Sequence, residues 1–309
     1  MTMPKKNTLV IVVGPTAVGK TEFSIAVAKA INGEIISADS QQFYRELNIG
    51  TAKPDAQEMD GIPHHLVSVT DLRNPWSIAV FKSAVYRLVD EICSRHKVPI
   101  MVGGTGQYVR GIIENWTIPE ISKDEQFRKA IEKWGDEIGA QELHARLAIV
   151  DPHAARMIDH RNMRRTIRAL EVTLRTGIPF SAQRNKGVAP FDTIMVGIIR
   201  PREELYKRVD LRIEKMIANG FIGEVESLLA AGLEPELLRA NPLGYTEMVD
   251  YIKGNCSLED AITAIKKRTR ILVRRQANWF KPDDERIRWF SVNENTERDL
   301  IDNIQLKMK

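Results

Sequence analysis

Cysteine is scarce in this sequence, and the two signs of charge are nearly balanced. The 309 residues include two cysteines, Cys93 and Cys256, too few for a disulfide framework or a cysteine-rich zinc site. No apolar run approaches the roughly 18 residues of a membrane-spanning helix, so we expect no membrane contact. Lysine and arginine number 45 against 41 acidic residues. This net charge of +4 is by itself weak support for a nucleic-acid partner.

The N-terminal residues MTMPKKN lead into a short strand-like segment and lack the apolar stretch of a signal peptide. We therefore expect a globular, cytoplasmic protein. With 43% hydrophobic residues, the chain can fill a sizeable core, either in one large domain with an insertion or in two domains.

Short β-branched segments alternate with helical patterns along most of the chain. The predicted strands are residues 9–13, 34–37, 66–69, 99–102, 193–199 and 286–290. Strands separated by helices are typical of an α/β fold with a mostly parallel sheet flanked by helices.

The strand pattern disappears between residues 117 and 192. Helices are predicted there at residues 125–134, 141–150, 152–158 and 161–176. We therefore predict an all-helical domain, residues 118–191, inserted into an α/β core formed by residues 1–117 and 192–309. Further helices are predicted at residues 202–219, 221–231 and 258–280, the last starting with the capping box Ser257-x-x-Asp260.

The segment GPTAVGKT follows the first predicted strand and fits the phosphate-binding pattern G-x-x-x-x-G-K-[ST]. In such a P-loop the backbone N–H groups surround a phosphate, the lysine adds a point charge, and the last hydroxyl is a ligand of Mg²⁺. The predicted phosphate-binding residues are Gly14, Pro15, Thr16, Ala17, Val18, Gly19, Lys20 and Thr21. Thr21 is the candidate metal ligand.

The aspartate that usually accompanies a P-loop, at the end of a later strand, is missing. Enzymes that split nucleoside triphosphates usually hold Mg²⁺ with an aspartate at the end of a later strand, whereas the strand at residues 99–102 runs into two glycines. The strand at residues 34–37 leads instead to Asp39. Because the carboxyl ends of parallel strands face one crevice, we expect Asp39, Thr105 and the P-loop to share a cleft. Asp39 could act there as a metal ligand or as a base.

Two stretches are rich in basic residues. One is the last predicted helix, where Lys267, Arg270 and Arg274 have the spacing of a single helix face. The other lies in the predicted inserted domain and contains Arg164, Arg165 and Arg168. A charged run is more often a solvated face than a binding site, but two such stretches beside a phosphate-binding cleft favour RNA binding.

Seven sequence blocks occur in the order found in tRNA dimethylallyltransferases, the isopentenyl-diphosphate transferases of tRNA. They are SADSQQFYRELNIGTAKP, PHHL, VGGTGQY, RRTIRALEVTLRTGIPFS, LYKRVDLRIEKMIANGF, LGYTEM and TRILVRRQANWF. The similarity extends from about residue 9 to about residue 290. These 309 residues contain no match to the C-terminal zinc finger of eukaryotic members, so we expect the bacterial type.

The resemblance implies an activity. The family moves a dimethylallyl group from dimethylallyl diphosphate to the exocyclic amine of the tRNA adenine immediately 3′ of the anticodon, without consuming ATP. By this resemblance the P-loop and Mg²⁺ hold the diphosphate, and Asp39 is the base, with Thr105 beside it and Lys20 at the leaving group. Arg212, with Arg208 one turn earlier, would complete the diphosphate site.

The resemblance also implies which residues contact tRNA. They are Asp39, Ser40, Gln41, Gln42 and Thr105 at the cleft, with Arg164, Arg165 and Arg168 in the inserted domain. Two segments depart from the family pattern, Pro242-Leu243 in place of Ala-Ile and Gln41 in place of Met. Both departures concern tRNA contacts rather than the reaction.

Two other functions share the P-loop and the basic surfaces. A small-molecule kinase would bind ATP and release ADP, and an RNA-associated module would use the loop as a nucleotide switch. We expect the protein to be a monomer or to associate weakly.

Overall fold

The computed structural model describes residues 7–118, 124–183 and 185–308. Residues 1–6 lie outside the described residues. They make up most of the N-terminal segment MTMPKKN, for which no signal peptide is predicted. The strands are β1 (Thr8–Val13), β2 (Gly33–Ser37), β3 (His64–His65), β4 (Val98–Gly103), β5 (Asp192–Ile199) and β6 (Ile287–Ser291). They form one parallel sheet in the order β3-β2-β4-β1-β5-β6. The predicted α/β fold is confirmed.

Helices flank and follow the strands. They are α1 (Lys20–Ala30), α2 (Ile78–Ser94), α3 (Gly106–Ile113), α4 (Glu125–Ile138), α5 (Ala140–Val150), α6 (Pro152–Met157), α7 (Met163–Thr176), α8 (Arg202–Ala218), α9 (Phe221–Ala230), α10 (Glu234–Ala240), α11 (Tyr245–Ile252), α12 (Leu258–Gln276) and α13 (Thr296–Met308). The predicted capping box is present at the start of α12. In the described part of the chain, none of the helices has the length and apolarity to cross a membrane.

The central strand β1 is buried on both faces. Val10 and Val12 belong to one hydrophobic cluster, and Leu9, Ile11 and Val13 belong to the other. Successive side chains of a strand point to opposite faces, so a continuous apolar run suits a strand covered on both sides. This burial places the carboxyl end of β1, and the P-loop after it, in the middle of the sheet.

The strand predicted at residues 66–69 is wrong. Leu66 has φ 60° and Ser68 has φ 56°, in the left-handed region that an extended strand does not use. The strand at this edge is the two-residue β3, which pairs with β2 just before that segment. Leu66 is nevertheless buried, so its apolar character reflects packing in a bent segment.

The chain divides into two compact units. One comprises the described residues of Met1–Ile113 and Ala189–Lys309, and the other is Glu114–Val188. The second unit contains α4 to α7 around a core that includes Leu143, Leu147 and Ile167. The chain enters and leaves this unit at neighbouring points, because Gly187 N–H donates to the Glu114 carbonyl at 3.0 Å.

Candidate active site

The P-loop joins β1 to α1 through a tight turn. Gly14 has φ 155° and Gly19 has φ 106°, conformations that favour glycine. A Cβ on Gly14 would also lie 2.6 Å from the Ile198 carbonyl oxygen of β5. The first glycine of the motif is therefore needed for the close approach of the loop to the neighbouring strand.

Two arginines from the region after β5 hold the loop from outside. Arg200 Nε donates to the Val18 carbonyl at 2.9 Å, and Arg208 Nε donates to the Ala17 carbonyl at 2.7 Å. Arg208 was predicted as a diphosphate contact. In the structure it lines the same cleft while its Nε supports the loop backbone.

Lys20 folds back over the loop. Its amino group donates to the Gly14 carbonyl at 3.0 Å and to the Pro15 carbonyl at 2.9 Å. Burial lowers the pKa of Lys20 to about 8; the charge of Asp39 opposes this change and the charge of Arg212 adds to it. The structure therefore brings these three predicted site residues within electrostatic reach of one another.

Asp39 lies just beyond β2, where its Oδ1 accepts from the Gln41 N–H at 3.0 Å. This bond orients the carboxylate across the start of the following turn. Thr105 follows β4, and its Oγ1 accepts from the Ser40 N–H at 3.4 Å. Asp39 and Thr105 thus stand on neighbouring segments, as the sequence predicts for the carboxyl ends of adjacent strands.

Arg212 of α8 reaches the same region. Its guanidinium donates to the Thr51 carbonyl at 3.1 Å. Burial lowers the pKa of Arg212, and the nearby Asp39 carboxylate opposes this effect.

Two cavities meet at these residues. The larger has a volume of about 1380 Å³ and the smaller about 450 Å³. Predicted site residues that line the larger cavity are Thr16, Ala17, Gly19, Lys20, Thr21, Asp39, Gln42, Arg208 and Arg212. Those that line the smaller are Thr16, Asp39, Ser40, Gln41, Thr105 and Arg212. Both cavities are therefore bordered by Thr16, Asp39 and Arg212.

The smaller cavity combines an apolar lining with polar groups. Its apolar side chains include Val209, Ile213, Met216, Phe221, Leu243 and Trp279. The Gln41 Oε1 atom is buried and has no hydrogen-bond partner. Such a cavity suits an apolar group, and Gln41 leaves one acceptor for a ligand.

Sequence reasoning missed Gln276 of α12. Its Oε1 accepts from the Thr16 N–H at 2.7 Å, and its Nε2 donates to the Gly104 carbonyl at 3.2 Å. A signal was present in the sequence, because Gln276 continues the buried helix positions of Thr269 and Val273. A polar residue at a core position requires buried partners.

Glu224 of α9 was also missed. Its carboxylate accepts from the N–H groups of Asn48, Ile49 and Gly50 at 2.9, 2.8 and 3.2 Å. The Tyr245 hydroxyl donates to it at 2.6 Å. These bonds fix the segment of residues 48–51. The Thr51 carbonyl at the end of that segment accepts a hydrogen bond from Arg212.

An ion pair divides the predicted basic face of α12. Arg270 donates to Asp210 of α8 at 2.6 Å, while Lys267 and Arg274 are exposed. Neither cavity is lined by Lys267, Arg270 or Arg274. Lys267 and Arg274 are thus the members of this face that solvent reaches most freely.

The predicted basic residues of the second unit lie on α7. Arg164 and Arg165 are exposed, and Arg168 Nη1 donates to the buried Glu171 carboxylate at 2.9 Å. Two arginines at the start of α7 are therefore exposed, and the third is engaged in an ion pair.

Magnesium fits the larger cavity only with help from a ligand. Thr21 is exposed there and shares the lining with Asp39. Among residues 7–118, 124–183 and 185–308, no group of three or more His, Cys, Asp or Glu side chains could hold a metal. Mg²⁺ often takes only one or two protein oxygens and completes its shell with water and substrate phosphates. Thr21 and a bound diphosphate would suit it.

Known proteins resemble this chain over most of its length. The family model described as IPP transferase matches residues 42–283. The tRNA dimethylallyltransferase of Chloroflexus aggregans is 45% identical over 275 residues, which cover 89% of this chain and 93% of the relative. The tRNA dimethylallyltransferase of Desulforudis audaxviator is 42% identical over 296 residues, 95% of this chain and 94% of the relative.

Solved structures are similar as well. The full-length tRNA isopentenylpyrophosphate transferase from Bacillus halodurans has a TM-score of 0.73 at 38% identity, covering 98% of this chain and 97% of that one. A eukaryotic dimethylallyltransferase, described as acting on tRNA, has a TM-score of 0.83 at 25% identity. That match covers 98% of this chain and 80% of the other.

Proposed function

Because this chain belongs to the IPP transferase family, we propose that it transfers a dimethylallyl group from dimethylallyl diphosphate to tRNA. The acceptor is the exocyclic amine of the adenine immediately 3′ of the anticodon. One observation carries the proposal. The cavity that contains the P-loop and the cavity that contains Thr105 share Asp39 and Arg212, so that a diphosphate and an acceptor amine can approach the same carboxylate.

The P-loop side of the site binds and stabilises the leaving group. In the reaction the bond from the allylic carbon to the diphosphate oxygen breaks, and negative charge develops on the departing diphosphate. Fixed donors aimed at that charge stabilise the transition state. The donors are Lys20, Arg212 and the P-loop N–H groups other than those of Thr16 and Val18, which have partners within the protein. Arg208 holds the loop in place. Thr21 would hold Mg²⁺, which would neutralise part of the same charge.

Asp39 serves the acceptor. The exocyclic amine of adenine is a weak nucleophile because its lone pair is delocalised into the ring, so removal of its proton as the C–N bond forms assists attack. The proton passes to the Asp39 carboxylate, and the electrons of the broken C–O bond leave with the diphosphate. The Gln41 N–H holds that carboxylate in one orientation. The apolar walls of the smaller cavity exclude water from the allylic carbon.

The tRNA must present an unstacked base. An enzyme that acts on a base edge extrudes the nucleotide from its stack, and exposed cations hold the phosphate backbone meanwhile. Lys267, Arg274, Arg164 and Arg165 are the candidates for those backbone contacts.

Radiolabelled dimethylallyl diphosphate and unmodified tRNA test the proposal when they are incubated with the protein in the absence of ATP. We expect label in the tRNA, and none in a matched tRNA with guanine in place of the target adenine. Absence of label from the adenine tRNA rejects the proposal. Phosphate transfer from ATP to a small acceptor would instead identify a kinase, and ATP-dependent tRNA binding without transfer would identify a nucleotide switch.

A further inference from the structure

Gln276 connects two loops of the candidate active site. It lies in the last turn of α12, with 7% of its surface exposed. Its Oε1 accepts from the Thr16 N–H at 2.7 Å, and its Nε2 donates to the Gly104 carbonyl at 3.2 Å. A backbone N–H can only donate and a carbonyl can only accept, so both ends of a side-chain amide are required for this bridge.

Close packing limits the freedom of the bridge. A Cβ on Gly104 would lie 2.4 Å from Gln276 Nε2, and a Cβ on Gly106 would lie 2.1 Å from Trp279 Cγ. The end of α12 and the turn that follows it therefore lie directly against the residues on both sides of Thr105. Thr105 in turn accepts the Ser40 N–H, next to Asp39.

We propose that Gln276 is a positioning residue, which sets the separation between the P-loop and the Asp39 carboxylate. This inference rests on the proposed function. The new C–N bond can form only when the allylic carbon lies in line between the departing diphosphate and the amine. Thr16 belongs to the P-loop, which holds the diphosphate. Gly104 precedes Thr105, which lies beside the segment that carries the base Asp39. One side chain binds both.

Loss of the bridge should slow bond formation more than it weakens substrate binding. The P-loop keeps its other supports from Arg200 and Arg208, so the diphosphate site itself persists. What changes is the distance between the two reacting groups, and a displacement of about 1 Å can lower a rate on the order of 100-fold.

Two near-isosteric variants test this role. Gln276→Met removes both hydrogen bonds, and Gln276→Glu keeps the acceptor for the Thr16 N–H but loses the donor to Gly104. We expect the single-turnover rate of label transfer to fall about 30-fold or more in Gln276→Met. The KM for tRNA and the KM for dimethylallyl diphosphate should stay within about threefold. Gln276→Glu should also slow transfer, so the test survives if one variant folds poorly.

Ser257→Ala is the matched control for a weakened α12. Ser257 Oγ accepts from the Asp260 N–H at 3.1 Å at the opposite end of the helix. Its loss should lower the Tm while the transfer rate of the folded enzyme stays at the wild-type value. Transfer within twofold of wild type in both folded Gln276 variants overturns the inference. Absence of label with the wild-type enzyme overturns the proposed function itself, which separates the two failures.

Discussion

At the scale of single residues, the candidate site depends on groups whose chemistry is set by their neighbours. The place of Asp39 after a strand predicts its site, and its proximity to Thr105 and Lys20 follows from the parallel sheet. Arg212 approaches Asp39 from helix α8, and only the resemblance implied its place in the site. Gln276 was missed because its two partners, Thr16 and Gly104, are remote in sequence. A pattern of spacing within one helix cannot show such a bridge.

The Asp39→Asn variant distinguishes two roles of Asp39, general base and metal ligand. The asparagine Oδ1 can still accept the Gln41 N–H, so the turn should persist. We expect label transfer to fall about 100-fold or more, because an amide cannot take the proton. Binding of dimethylallyl diphosphate, measured by calorimetry, should change little. A parallel loss of diphosphate affinity would show instead that Asp39 acts through the metal.

The lowered pKa of Lys20 predicts that diphosphate binding depends on pH. Its pKa of about 8 in the free protein means that its positive charge is present below that pH and is lost as pH rises. A bound diphosphate favours the protonated form, so affinity should fall by up to about tenfold from about pH 7 to about pH 9.

Calorimetric titration of dimethylallyl diphosphate at several pH values checks this prediction. Lys20→Ala should remove the decrease. Lys53 lines the same cleft, and burial also lowers its pKa to about 8, so Lys53→Met is the matched comparison. If Lys53→Met abolishes the pH dependence and Lys20→Ala retains it, the titrating group has been misassigned.

At the scale of elements, the sequence predicts what local periodicity controls. The helix α7 ends at Gly177, whose φ of 69° gives the left-handed cap that the sequence indicates. The residues around Leu66 have a strand-like composition, but their backbone turns because β3 ends after His65. The ion pair of Arg270 with Asp210 of α8 was equally invisible, since it joins two helices that each look solvated when considered alone.

That ion pair divides the basic face of α12 into two kinds of residue. Changing Lys267 and Arg274 together to glutamine should weaken tRNA binding and reduce the slope of log affinity against log salt by about 2, one for each lost phosphate contact. Arg270→Gln should leave the slope nearly unchanged. It should lower the free energy of unfolding by no more than about 1 kcal/mol, because the pair is partly exposed.

Filter binding across a salt series and denaturant unfolding measure these two effects. An unaltered salt slope in the double variant would mean that Lys267 and Arg274 belong to a solvated face. A reduced slope in Arg270→Gln would mean that this arginine exchanges Asp210 for phosphate when tRNA binds.

At the scale of the whole molecule, the two compact units have separable roles in the proposal. Both cavities are lined entirely by residues outside Glu114–Val188. The ends of that unit are joined by the bond from Gly187 to Glu114. A short glycine-serine linker between Ile113 and Ala189 is therefore a reasonable replacement for it.

The shortened chain should keep its affinity for dimethylallyl diphosphate and lose most of its affinity for tRNA, because Arg164 and Arg165 are removed. Calorimetry and filter binding check the two halves of this prediction, with circular dichroism to establish that the α/β unit has folded. Wild-type tRNA affinity in the shortened chain would exclude a tRNA-contacting role for the helical unit.

The strand order also determines when the site can exist during synthesis. The central strand β1 pairs with β4 on one side and with β5 on the other, where Val10 lies opposite Ile194. Until β5 leaves the ribosome, one flank of β1 exposes unpaired backbone groups, and such open edges invite association with other chains. Arg200 and Arg208 emerge later still, and Gln276 near the end. A transcript cut short after β4 thus encodes a nascent chain with the complete P-loop sequence, an aggregation-prone sheet edge and none of the later side chains that hold the loop.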